Sequence, residues 1–215
     1  MLQISDLSFR YESAKKWLFR KFSFSADAGS IIAIHGPSGS GKTTLFNIIC
    51  GVIPKMIKGE FSGEVKYNNQ LISELTLPQT APHISLLMQE PDNQLFFPTV
   101  EQELAFGPEN LNVQPDEIQT RIDNVLNDLG IEKLRFEETN TLSYGQKKLV
   151  TFASLLTLSP QVFLLDELSA GLSEMHLAKV HQVLKSLKED GKIIFIADHN
   201  PAILQLAEKQ IILSD

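Results

Sequence analysis

The sequence has little of what would place a protein outside the cell or inside a membrane. Its 215 residues include one cysteine, Cys50, so no internal disulfide can form and a reducing compartment is the simplest expectation. The sequence contains no run of about 18 apolar residues, the length needed to span a bilayer. The N-terminal stretch MLQISDLSFRYE shows no basic head and apolar core of an export signal. If the protein works at a membrane, we expect it to do so through a partner.

Basic residues are also scarce. Lysine and arginine number 19 against 26 aspartates and glutamates, which gives a formal net charge of −7. A broad nucleic-acid surface needs a surplus of basic side chains, so no nucleic-acid partner is expected. With 43% hydrophobic and 21% charged residues, the composition is that of an ordinary globular chain large enough to bury a sizeable core.

Short apolar runs alternate with helical patterns along the chain. Buried strands are predicted at 31–34, 162–165 and 193–197, where IIAI, VFLL and IIFIA end against polar residues. Helix-period apolar residues predict helices over 118–129 and 149–158, and Leu45, Ile48, Ile49 and Val52 predict one helix face. This alternation predicts an α/β domain with a largely parallel sheet. In such sheets, ligands bind beyond the carboxyl ends of the strands.

Two regions differ from this alternation. The first thirty residues alternate and carry aromatics, which predicts an antiparallel β-layer, and a further strand is predicted at 63–67. Residues from about 95 to 155 are mostly helical in pattern. We expect one domain over 1–215, with this helical subdomain inserted into its core.

Residues 36–43, GPSGSGKT, form a glycine-rich loop between a predicted strand and a predicted helix. They match G-x-x-x-x-G-K-[ST], in which glycines let successive backbone N–H groups point at phosphate oxygens. The helix that follows adds its positive N-terminal end. Lys42 would reach the β- and γ-phosphates, and the Thr43 hydroxyl would ligate Mg²⁺. The pattern therefore predicts a nucleoside triphosphate site with magnesium.

Two further segments carry candidate chemistry. Asp166 and Glu167 follow the strand VFLL, where one carboxylate can hold the magnesium shell and the other can accept a proton from an attacking water. In LSYGQK, Ser143 and Gln146 have the spacing of a helix capping box. A helix start with Ser and Gly is also an anion site, so both interpretations stay open.

This ordered set resembles the ATP-binding-cassette (ABC) ATPases over essentially the whole chain. The resemblance implies a P-loop cassette fold that hydrolyses ATP with Mg²⁺. It implies that Gln89 and Glu167 act on the attacking water, that His199 contacts the γ-phosphate and that Tyr11 stacks on adenine. The residues implied to bind nucleotide are Tyr11, Gly36, Ser38, Gly39, Ser40, Gly41, Lys42, Thr43, Thr44 and Asp166; those implied to hold Mg²⁺ are Thr43, Gln89 and Asp166.

In this family, two cassettes sandwich two nucleotides. The resemblance implies that Ser143, Gly145 and Gln146 act on the ATP of a second ATPase subunit, identical or different. Closing the site from a second side would exclude water from the triphosphate. One chain is therefore expected to be half of the working unit.

A finer resemblance lies in residues 89–100, QEPDNQLFFPTV, and 103–111, ELAFGPENL. Both are similar to segments of the ATPase subunits of energy-coupling-factor (ECF) transporters, of the CbiO type, which import vitamins or transition-metal ions in prokaryotes. This implies a transmembrane coupling protein and a substrate-binding membrane protein as partners. It also implies a peripheral location on the cytoplasmic face of the cell membrane.

The sequence departs from the family pattern at four positions. Tyr144 stands in place of the first glycine of LSGGQ, and Leu149 in place of an arginine. Leu168 and Ser173 replace the proline and aspartate of DEPTAGLD. We interpret these changes as an asymmetric pair, in which the site covered by LSYGQ is the slower one. A soluble non-transport ABC ATPase and a regulatory subunit with impaired hydrolysis are the alternatives. The chain ends about where the cassette core is expected to end, without the C-terminal extension of many relatives.

Overall fold

The computed structural model describes residues 1–214, which form nine strands in two sheets and eight α-helices, three of them only four residues long. The strands are β1 Leu2–Tyr11, β2 Phe19–Ala26, β3 Ile31–His35, β4 Gly59–Tyr67, β5 Gln70–Leu71, β6 Ile84–Leu87, β7 Val162–Asp166, β8 Ile193–Ala197 and β9 Lys209–Ile212. The helices are α1 Lys42–Ile49, α2 Val52–Lys55, α3 Leu77–Thr80, α4 Val100–Asn110, α5 Pro115–Leu129, α6 Tyr144–Leu158, α7 Glu174–Glu189 and α8 Pro201–Leu204.

The antiparallel sheet has the order β2-β1-β4-β5 and confirms the predicted N-terminal β-layer. Leu2 lies opposite Ala26 on one side and Tyr67 on the other. Strand β4 begins at Gly59, four residues before the predicted start at Gly63. Most side chains in its first half are at least partly exposed, so that half lacks the apolar signal of a buried strand.

The parallel sheet has the order β6-β7-β8-β3-β9. The three predicted buried strands are confirmed, two of them one residue longer than predicted and the third with the predicted bounds. Because all five strands run in the same direction, the carboxyl ends of β6, β7, β8 and β3 lie side by side. The chain segments that follow these four ends carry most of the predicted site residues.

Alternate side chains of the parallel strands enter two separate cores. Phe195 and Leu164 pack on the side of α1 and the antiparallel sheet, together with Phe46. Phe163 and Ile194 pack on the opposite side, where the helices α4 to α7 lie. Both faces of the sheet are covered, which explains why its strands are continuous apolar runs.

The predicted helix face from Leu45 to Val52 is wrong at its end. Helix α1 stops at Ile49, and Val52 begins the separate, irregular turn α2. Gly51 between them has a φ of 79°, and a Cβ there would lie 2.9 Å from Ile72 Cγ2. The left-handed backbone of Gly51 ends the helix, because other residue types adopt this conformation only at a cost.

Three helices, α4, α5 and α6, lie between β6 and β7 and confirm the predicted helices over 118–129 and 149–158. Arg135 ties the segment after α5 to the start of α4 and the middle of α5. Its guanidinium donates to Glu101 Oε1 at 2.8 Å and to Asp123 Oδ1 at 2.5 Å. Within residues 1–214, none of the helices has both the length and the apolar character needed to cross a membrane.

Candidate active site

The glycine-rich loop leaves the carboxyl end of β3 and returns at the start of α1. Gly36 has a φ of 154°, and a Cβ on it would lie 2.7 Å from the Leu213 carbonyl oxygen. Only glycine fits this close approach without moving the backbone. The Lys42 ammonium donates to the carbonyl oxygens of Gly36 at 2.8 Å and Pro37 at 3.0 Å. Its charge is thus held over the loop.

The start of α1 supplies amide donors to the same loop. Gly41 is the N-cap residue, with a φ of 98°, and no side chain caps this helix start in the part of the chain that the structure describes. Backbone N–H groups of a first helical turn have no partner within the helix. Together with the helix dipole they form an anion site, which suits a phosphate.

Thr43 joins the loop to the end of β7. Its hydroxyl donates to Asp166 Oδ2 at 2.6 Å, although the two residues are 123 positions apart. Asp166 is 3% exposed, and burial raises the pKa of its carboxyl, as does the charge of Glu167, while the Thr43 hydrogen bond opposes the rise. A hydroxyl and a carboxylate at one point are the oxygen ligands that Mg²⁺ prefers, so these residues fit the implied metal.

Glu167 lies at a sharp corner just after β7. Its φ of 51° is in the left-handed region, and its N–H donates to Ala197 O at 2.7 Å. Gln89 follows β6 and donates from Nε2 to Glu167 Oε2 at 3.1 Å. His199 follows β8, and its Nε2 lies 4.0 Å from Glu167 Oε1. Three predicted site residues from three strand ends therefore meet at one carboxylate.

Tyr11 reaches the site from the antiparallel sheet. Its hydroxyl shares a hydrogen bond of 2.7 Å with Thr44 Oγ1, and its ring packs edge-on against Phe9 at 4.9 Å between centroids. The half-buried ring lies beside the start of α1. This places an aromatic surface next to the loop, and stacking on adenine stays a prediction.

The LSYGQ segment forms the start of helix α6 and is not a loop that precedes the helix. Ser143 is the N-cap: its N–H donates to Gln146 Oε1 at 2.8 Å, and its Oγ accepts from Gln146 N at 3.4 Å. The predicted capping box is confirmed. Gly145 lies against Gly171, and a Cβ on it would lie 3.0 Å from the Gly171 carbonyl carbon. Tyr144 donates to Gln89 O at 3.2 Å, within the same chain.

Two buried charged residues beside the site were not predicted from the sequence. Asp198 is 6% exposed and accepts from Ser169 Oγ and N and from the N–H groups of His199 and Asn200, at 2.5 to 2.9 Å. It fastens the segment after β8 to the turn after Glu167. Lys148 is fully buried, and burial lowers the pKa of its ammonium against the raising effect of nearby carboxylates. Asp198 follows an apolar run just as Asp166 does, so the same signal could have found it.

The remaining departures from the family pattern have clear places in the fold. Leu149 and Leu168 are buried in the core on the helical side of the parallel sheet. Ser173 is the N-cap of α7, where it accepts from His176 N at 3.4 Å and shares a 3.0 Å hydrogen bond with His176 Nδ1. Ser173 is exposed and can take part in a contact with another molecule.

Together these groups can bind a triphosphate and act on a water. The loop and Lys42 offer donors for phosphate oxygens, and Thr43 and Asp166 offer oxygen ligands for a divalent cation. Glu167 is a carboxylate within hydrogen-bond reach of Gln89 and near the His199 imidazole. A general base needs this kind of placement beside a phosphate site.

Comparisons with known proteins agree with this arrangement. The sequence-family model described as ABC transporter matches residues 19–170 of this chain. The chain is 35% identical, over 96% of its length and 71% of the relative, to energy-coupling factor transporter ATP-binding protein EcfA2 of Clostridium perfringens. It is 33% identical to the corresponding EcfA of Methanococcus maripaludis, over 99% of the chain and 75% of the relative.

One further relative is much longer. An ABC transporter ATP-binding protein of Treponema denticola is 32% identical over the whole chain, which spans only 44% of that protein. Among solved structures, cbiO1 of Clostridium perfringens, part of the complex cbiONQ, has a TM-score of 0.82 at 31% identity, over 99% of this chain and 84% of that one. The dimeric cassette MJ0796 has a TM-score of 0.85 at 24% identity, over 100% and 94%. The cassette fold predicted from the sequence is confirmed.

Proposed function

The chain belongs to the ABC transporter family, and we propose that it is an ATP-binding and ATP-hydrolysing subunit that energises an ECF-type importer. The observation that carries this proposal is the meeting of three segments at one edge of the parallel sheet. The Thr43–Asp166 and Gln89–Glu167 hydrogen bonds link the phosphate loop, the end of β7 and the end of β6.

Each residue of the proposed site has a defined task. Lys42 and the amides of the loop bind the phosphates of ATP. Thr43, Gln89 and Asp166 would hold Mg²⁺, which supplies charge neutralisation at the phosphates when bound. Glu167 accepts the proton of the attacking water, Gln89 orients that water, and His199 contacts the γ-phosphate. Tyr11 stacks on the adenine ring.

The proposed working unit contains two cassettes. The start of helix α6 carries the exposed N-cap residue Ser143 and the partly exposed Gly145, which would face the nucleotide bound by a second ATPase subunit. The relative cassette MJ0796 is described as dimeric. We propose that sites covered by LSYGQ turn over more slowly than sites covered by an unaltered signature.

The proposed membrane partner would contact the segment from Gln89 to Leu111. Phe96 is 76% exposed and Phe106 is 45% exposed, while the buried Glu103 carboxylate accepts from the N–H groups of Phe96 and Phe97 at 2.9 Å. The anchored backbone therefore presents aromatic side chains outward, as a protein-binding surface does. The proposed location is peripheral, on the cytoplasmic face of the membrane, next to a coupling protein and a substrate-binding membrane protein.

Calorimetry and hydrolysis assays test the proposal in two stages. We expect Mg²⁺–ATP to bind the isolated chain and the Lys42→Ala variant to bind it at least about tenfold more weakly. In the assembled complex, Glu167→Gln should lower turnover by about a hundredfold or more, the range of a general base. Glu189→Gln, an exposed change at the end of α7, is the matched control. Absence of ATP binding to folded wild-type protein would refute the proposal.

Two other results would redirect it. A loss of less than about tenfold for Glu167→Gln would remove the general-base role and favour a regulatory subunit. Fractionation separates transport from a soluble function: transport requires that the chain co-purify with membranes, and stimulation of hydrolysis by nucleic acid would favour the soluble alternative.

A further inference from the structure

One face of α6 holds the segment that contains Gln89. Tyr144, Lys147 and Lys148 are spaced by three and four residues, so they lie on one side of the helix. All three contact residues 88–92: Tyr144 reaches the Gln89 carbonyl, Lys147 Nζ lies 2.5 Å from Asp92 Oδ1, and Lys148 Nζ lies 3.0 Å from Met88 O. The start of the LSYGQ helix is thus fastened to this chain's own site.

Lys148 makes the most buried of these contacts. Its ammonium is fully buried and donates to Met88 O and also to Asp166 O at 3.1 Å. One side chain therefore bridges the ends of β6 and β7, directly before Gln89 and Glu167. A buried ammonium is costly unless it is paired, so these two carbonyls hold it in place and it holds them.

Tyr144 closes the same arrangement at the surface. Its hydroxyl donates to Gln89 O at 3.2 Å, and its ring lies against Gly171, where a Cβ would be 2.9 Å from Tyr144 Cδ1. A glycine at position 144 has no side chain and would make neither contact. The residue that departs from the family pattern therefore links α6 to both the Gln89 segment and the turn after Glu167.

We propose that Tyr144 and Lys148 are positioning residues that fix Gln89 for hydrolysis at this chain's own phosphate loop. LSYGQ then acts within its own subunit as well as on the nucleotide of the partner subunit. The effect on turnover rests on the proposed ATPase function, but the effect on the Gln89 segment does not.

Amide hydrogen exchange of the nucleotide-free chain tests the structural part. Tyr144→Phe keeps the ring and removes the hydroxyl, so exchange over residues 88–92 should rise by about threefold to tenfold, the loss of one hydrogen bond. Lys148→Met should raise it more, because two hydrogen bonds are lost. The matched controls are Tyr67→Phe, in β4, and Lys192→Met, whose buried ammonium contacts Ser159 O at 3.3 Å. Unchanged exchange in both test variants, or an equal rise in the controls, would overturn the proposal.

Turnover in assembled pairs with one intact Glu167 separates action within the subunit from action across the pair. Tyr144→Phe in the subunit that keeps Glu167 should lower kcat by about threefold to tenfold with KM for ATP nearly unchanged. Tyr144→Phe in the Glu167→Gln subunit should cause no such fall in kcat. If only the second arrangement lowers kcat, Tyr144 acts on the partner's nucleotide alone and the proposal is wrong. Failure of wild-type chain to bind ATP would instead refute the proposed function, while the exchange result still decides the positioning role.

Discussion

Gly145→Ala tests how closely α6 approaches the turn that follows Glu167. A Cβ at Gly145 would lie under 3.0 Å from Gly171 O and 3.0 Å from its carbonyl carbon, where ordinary contact begins at 3.4 Å. Both neighbours are backbone atoms, so the helix start and the turn must separate. Overpacking of this kind costs about 1–3 kcal/mol, and alanine recovers at most about 1 kcal/mol of helix propensity. With the full helix-propensity gain subtracted, the net cost is up to about 2 kcal/mol, so we expect the melting temperature to fall by up to about 8 °C, at about 2–4 °C per kcal/mol for a chain of this length.

Gly107→Ala is the matched control for this measurement. Gly107 also lies within a helix, α4, but a Cβ there would meet only side-chain atoms of Leu158, the nearest at 3.3 Å. A small movement of that leucine accommodates the methyl group, so this variant should melt at or above the wild-type temperature. Thermal unfolding of the nucleotide-free proteins by circular dichroism makes the comparison. If Gly145→Ala is as stable as Gly107→Ala, the contact between α6 and Gly171 is not as close as described.

Two further predictions concern the Asp166 carboxyl and the hydrogen bond between Tyr11 and Thr44. Burial raises the Asp166 pKa, so the folded chain holds this proton more tightly than the unfolded chain. The carboxylate therefore destabilises the folded state increasingly as the pH rises from the unfolded-state pKa through the higher folded-state pKa. Asp166→Asn should therefore stabilise the nucleotide-free chain at about pH 7, with a gain that shrinks toward about pH 4 in urea unfolding; a less stable variant at neutral pH would contradict this. Tyr11→Phe and Thr44→Val should each cost about 0.5–1.5 kcal/mol, and the double variant less than their sum, because both remove the same 2.7 Å hydrogen bond. Full additivity in a double-mutant cycle would show that the two hydroxyls do not interact.

The strands and the phosphate loop could be predicted because their signals are local. A parallel strand covered on both faces is a short apolar run, so 31–34, 162–165 and 193–197 were identified within one residue. The loop has a fixed spacing because each of its glycines has a backbone task. Local signals also placed Asp166 and Glu167 at a strand end, and the sheet order then brought them to the loop.

Contacts between distant segments could not be predicted in the same way. Lys148 follows another lysine in a polar stretch, which is typical of an exposed helix start, and only the fold places two carbonyls around its ammonium. The sequence identified Tyr144 as unusual but gave no sign that its hydroxyl reaches Gln89. The end of α1 was predicted too late, since the apolar period continues to Val52 while Gly51 ends the helix.

The backbone of Glu167 has a consequence for how this chain can change. A residue other than glycine at a φ of 51° carries strain of about 1–3 kcal/mol, which the rest of the fold has to overcome. Glycine or asparagine would adopt this backbone conformation at lower cost, but either would remove the carboxylate that we propose accepts the proton of the attacking water. Selection for thermal stability would therefore favour glycine or asparagine at position 167, whereas selection for the proposed ATPase activity would favour the carboxylate. Keeping Glu167 lowers the stability of the fold at this turn.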